Sequence, residues 1–98
     1  MKHDQVVISK VPRPSRLFQI GIIKDIDSRF QELVEVPCAN ERCIKKMISK
    51  SKLLLLDIRY ILLYQSFDYD IREKIIVRTD SILQYINTCL DATNKSLV

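Results

Sequence analysis

From Cys38 to Val98 the chain contains neither glycine nor proline. A span of that length without a helix breaker, crowded with Leu, Ile, Lys, Arg and Asp, predicts long helices and argues against a many-turned β fold. All three prolines lie at or before position 37, and Gly21 is the only glycine. The 98 residues leave room for one domain and one core, a size at which a lone domain is marginal unless packing or association helps. The expectation is an all-α fold: an up-down bundle of three long helices with an extended N-terminal arm, residues 1–98 forming a single domain. Oligomerisation would then complete a four-helix-type bundle or barrel.

Residues 1–14 read as an extended basic arm, because Pro12-Arg13-Pro14 favours extended backbone and only Val6, Val7 and Ile8 form an apolar patch. A first helix is expected over about 15–36. Its apolar positions Ile23, Ile26, Phe30, Leu33 and Val34 recur at spacings of three and four, and Pro37 ends it. A second helix is expected over about 40–66, with Asn40 as N-cap and Glu41 in the first turn, where negative charge meets the helix dipole. Its seam reads Ile44, Met47 or Ile48, Ser51, Leu55, Ile58 and Leu62. The third helix, about 70–93, opens on Asp70 and Glu73 at the spacing of a capping box. It carries the stripe Ile71, Ile75, Thr79, Ile82, Ile86, Cys89 and Thr93.

The second helix differs between its halves. At about 100° per residue, the face opposite its seam is Arg42, Lys45, Lys46, Ser49 and Lys52 in the first half, then Leu53, Leu56, Tyr60, Leu63 and Tyr64 in the second. A helix that is apolar all round is buried all round. Two other helices of one small chain do not readily wrap it, so Leu53, Leu56, Tyr60, Leu63 and Tyr64 are the expected oligomer interface unless the arm covers them.

Charge follows the same division. Residues 1–16 hold four basic and one acidic side chains, 17–37 two and four, 38–59 six and two, and 60–98 four and five. Positive charge therefore concentrates in the arm and the second helix. Lys45, Lys52 and Arg59 lie seven apart on one side, flanked by Arg42 and Lys46, as a surface tracking a phosphate backbone or an acidic partner would. An ordinary solvated helix face produces the same pattern, and the sequence leaves both readings open.

No residue is assigned a catalytic, cofactor-binding or metal-ligating role. The single histidine, His3, falls in the arm, one glycine makes no phosphate-binding loop, and the pairs Asp25/Asp27 and Asp68/Asp70 are spaced for capping or solvent. Cys38, Cys43 and Cys89 lack zinc-ligand spacing and form an odd set with no leader pattern, which points to a reducing, cytoplasmic setting. The apolar run Leu53–Leu56 is broken by Asp57 and Arg59, far short of the roughly 20 residues a membrane span needs.

The segments Pro12-Arg13-Pro14-Ser15-Arg16-Leu17-Phe18-Gln19-Ile20-Gly21 and Leu55-Leu56-Asp57-Ile58-Arg59-Tyr60 resemble the bacterial four-helix-bundle family that includes the accessory variability determinant (Avd) of diversity-generating retroelements. The likeness covers roughly residues 12–91. It implies a pentameric barrel of helical protomers that partners a reverse transcriptase, a polymerase, and its template RNA, with Arg42, Lys45, Lys46, Lys50, Lys52 and Arg59 as the contacts. The chain departs from that family in lacking a helix before Pro12 and a Gly-Trp ending. The reading is thus a non-catalytic, oligomeric, nucleic-acid-binding or RNA-binding accessory protein needing no cofactor. The alternative is a structural or adaptor subunit that assembles through the apolar half of its central helix and has no nucleic-acid role.

Overall fold

A computed structural model of the chain describes residues 13–36 and 40–97, with the backbone alone from 93 onward. Helix α1 spans Arg16–Glu35, α2 Glu41–Tyr64 and α3 Tyr69–Leu97, and the described residues contain no strand. Most of the predicted arm, Cys38 and Pro37 lie outside them.

The helix starts are built by side chains. Ser15 Oγ accepts from the Phe18 backbone N–H, and Asn40 Oδ1 accepts from that of Cys43, each satisfying a donor that the first turn leaves open. Glu41 sits in the first turn of α2. The third helix departs from the expected capping box. It begins at Tyr69, one residue early, and Asp70 is already helical, with its carboxylate bonded to Arg16. It also continues to Leu97, past the expected end near 93, since no Gly or Pro stops it.

The chain runs up, down and up. Arg29 of α1 meets Asp57 of α2, Asp27 meets Arg78 of α3, and Tyr85 Oη donates to the Leu33 carbonyl at 3.2 Å, so α1 lies antiparallel to α2 and parallel to α3. Between the helices lies one core: Ile23, Ile26 and Leu33 from α1, Ile44, Met47, Ile48, Leu54 and Ile58 from α2, and Ile71, Ile75, Ile82, Ile86 and Cys89 from α3. Phe67, in the linker, also points into it. Ser51, fully buried, satisfies its hydroxyl by donating to the Met47 carbonyl one turn back.

Two packing expectations need correcting. The α2 seam passes through Leu54, 1% exposed, while Leu55 and Leu62 are only half-buried. Because α2 packs on two neighbours, its core line falls between them, and Leu55 and Leu62 stand on the α3 side. Val34 is exposed rather than core, since α1 offers its stripe along Ile23, Ile26, Phe30 and Leu33. Tyr85 also sets its ring edge-on to Phe30, with centroids 5.8 Å apart, while its hydroxyl holds the Leu33 carbonyl.

Candidate assembly surface on the central helix

The outer face of α2 carries the feature that bears on function. Leu53, Leu56, Tyr60, Leu63 and Tyr64 fall within about 100° of arc on a helical wheel, opposite the core line through Met47, Leu54 and Ile58. All five are 58–66% exposed. The Tyr60 and Tyr64 ring centroids lie 4.6 Å apart with the planes inclined at 41°, a tilted aromatic pair at the end of the stripe. Neither α1 nor α3 covers these side chains, since both pack on the other side of α2.

Further apolar residues gather at the same end of the bundle. Leu17 and Phe18 at the start of α1, and Tyr69 at the start of α3, are also exposed beside the end of α2. The sequence reading passed over them because each falls next to a helix start, where a single apolar residue carries no periodic signal.

The six basic residues divide by direction. Arg42, Lys45, Lys46 and Lys52 stand on the outer face of the first half of α2, continuous with the apolar stripe. Lys50 turns toward α1, lining a hollow with Arg29, Glu32 and Leu53. Arg59 turns the other way, toward α3 and Arg72. Lys45 pairs with Glu41 one turn back at 3.2 Å, whereas Arg42, Lys46, Lys52 and Arg59 form no ion pair with a described residue. The predicted single basic stripe is therefore a four-residue outer patch with two outliers.

A second polar cluster locks the start of α1 to the α2–α3 corner. Gln19, 1% exposed, donates through Nε2 to the Pro14 carbonyl at 2.9 Å and accepts through Oε1 from the Asp68 backbone N–H at 2.9 Å. Above it Arg13 and Arg16 reach Asp68, and Arg16 also takes Asp70. Hydrogen bonding from Arg16, partly opposed by desolvation, holds the Asp70 carboxyl down to about 2; the same bonds raise the Arg16 guanidinium further above its ordinary value. The complementary doublets Arg13/Arg16 and Asp68/Asp70 were the available sequence signal, and capping explained the acidic pair too readily.

Among the described residues, no group of three or more His, Cys, Asp and Glu is arranged to hold a metal ion, and no helix is long and apolar enough to cross a membrane. Comparison with protein-family models, with curated proteins and with solved structures finds no match.

Proposed function

We propose that this chain is a non-catalytic assembly subunit that forms a homo-oligomer through the apolar outer half of α2. The observation that carries the reading is the uncovered stripe Leu53, Leu56, Tyr60, Leu63 and Tyr64. Side chains of this size at that exposure leave on the order of 600 Å² per protomer open to water, close to the roughly 800 Å² per partner of a standard interface. Covering an apolar area of that size favours association, and how tightly the copies hold then depends on packing and on the ordering that binding imposes, not on area alone. Two tyrosines beside three leucines also match the aromatic-rich composition of interface centres. In an antiparallel two-fold pairing centred on the apolar halves, the basic halves point apart, which limits charge repulsion.

The test is sedimentation velocity on the full chain with Leu56→Asp and Leu63→Asp. The stripe is exposed within the protomer, so both variants keep their helicity and sediment as single chains. Variants that associate as the unaltered chain does would remove the reading.

A second reading rests on its own observation, the outer cations Arg42, Lys46 and Lys52, which have no ion-pair partner among the described residues, beside Lys45. In it the oligomer presents a basic surface to nucleic acid or to a nucleoprotein such as a polymerase–RNA complex, as the likeness to the Avd family implies. Charge reversal at Lys45, Lys46 and Lys52 then weakens binding of RNA or duplex DNA and lowers its salt dependence, with the fold intact. Equal binding by that variant and the unaltered chain discards this reading.

A further inference from the structure

Between α2 and α3, on the side away from α1, runs an open groove of about 390 Å³. Its floor is Leu55, Ile58, Leu62 and Leu63 from α2 and Leu83 from α3, with Thr79 as the one uncharged polar side chain. Arg59 stands on the α2 rim and Arg72 on the α3 rim. No carboxylate lines the groove, and neither arginine has a carboxylate partner among the described residues. Beyond Leu83 the same side of α3 continues in Leu90, and before it in Ile76; both are partly exposed at 43% and 39%. Ile76, Leu83 and Leu90 are seven apart.

Two antiparallel helices with an apolar trough at heptad spacing present the seat of a fourth bundle helix. The cationic rims restrict what that helix carries. Arginine pairs best with carboxylates, in paired hydrogen bonds of fixed geometry, and positions flanking a bundle seam select partners by charge. The chain's own residues 1–16, four basic against one acidic, bring the wrong sign. The outer face of a second copy's α2 is net basic and then apolar, and its Glu41 is already paired with Lys45.

We propose that the α2–α3 groove docks an acidic amphipathic helix of a partner protein, with leucine-like anchors against Leu55, Leu62 and Leu83 and Glu or Asp side chains on Arg59 and Arg72. The proposal rests on the chain being an assembly subunit and names the chemistry of what it recruits. The groove shares Leu63 with the outer α2 stripe, whereas its anchors Leu55, Leu62 and Leu83 lie outside that stripe and stay open to a partner when two copies pair.

The probe is a fluorescein-labelled peptide of about 18 residues with Leu at heptad positions a and d and Glu at e and g, long enough to run from Arg72 to Leu90 at about 1.5 Å per residue. A matched peptide carries Lys in place of Glu. Fluorescence anisotropy with the full chain is expected to show the Glu peptide binding at least about tenfold more tightly than the Lys peptide. The double variant Arg59→Glu/Arg72→Glu reverses that preference, and Arg59→Gln/Arg72→Gln abolishes it, with helicity checked by circular dichroism. Leu56→Asp breaks self-assembly and leaves the preference in place, so failure of the assembly reading and failure of the groove are told apart. Equal affinity for the two peptides overturns the proposal, as does a preference that survives in both arginine variants. Loss of self-association in the arginine variants assigns the groove to a second copy and also overturns it. So does loss of duplex-DNA binding in those variants when the unaltered chain ignores both peptides.

Discussion

Replacing Gln19 with leucine keeps the volume of a 1%-exposed side chain and deletes both of its hydrogen bonds. The Pro14 carbonyl and the Asp68 N–H are left facing an apolar side chain that excludes water. An unsatisfied buried polar group costs about 1–3 kcal/mol. Both groups are only part-buried here, so the lower part of that range applies to each, giving a total of about 2–3 kcal/mol. Removing the amide's own desolvation cost offsets part of this, so the total is an upper figure. Urea unfolding followed by circular dichroism at 222 nm measures it, with the slope unchanged because the surface exposed on unfolding is the same. Gln31→Leu is the control, since Gln31 is exposed and bonds only Glu35 one turn on. A loss at Gln19 no larger than at Gln31 would refute the claim that the clasp holds the start of α1 in place.

Ile82, 0% exposed at the centre of α3, is expected to cost about 2–5 kcal/mol as Ile82→Ala, read by the same unfolding assay. Tyr85→Phe removes the bond to the Leu33 carbonyl and keeps the ring on Phe30, so a loss near 1 kcal/mol is expected. Asp70 has its carboxyl lowered in the folded chain, so the Arg16–Asp70 pair contributes stability fully above the ordinary carboxyl value of 3.8 and loses it as pH falls toward about 2. Arg16→Gln therefore flattens the fall in melting temperature across that window and changes little at pH 1.5; the difference is small because the pair is exposed and screened. An identical pH profile for both proteins would show that the pair adds nothing.

What could be read from the sequence was whatever repeats along a helix. The stripe from Ile71 to Cys89 and the change in character halfway along α2 both survive to the folded chain, because periodicity and burial are one property seen at two levels. Reading failed where position depends on two neighbours at once. The choice between Leu54 and Leu55 is settled by where α1 and α3 both meet α2, and a single helical wheel holds no such information. The Gln19 clasp was illegible for a different reason: its partners lie five and 49 residues away, and a buried glutamine interrupts a stripe instead of extending it. Arg59 and Arg72 face one groove only because the chain reverses at the linker between α2 and α3, so a charge count by segment put them in different groups.

The central claim is that α2 has more apolar circumference than its own bundle hides. Multi-angle light scattering of the unaltered full chain, eluted from size exclusion at concentrations from about 1 to 100 µM, tests it most directly. The expected result is a mass of two or more chains that Leu56→Asp reduces to one. A well-folded single chain across that whole range, with Leu53, Leu56, Tyr60, Leu63 and Tyr64 at ease in water, would contradict it.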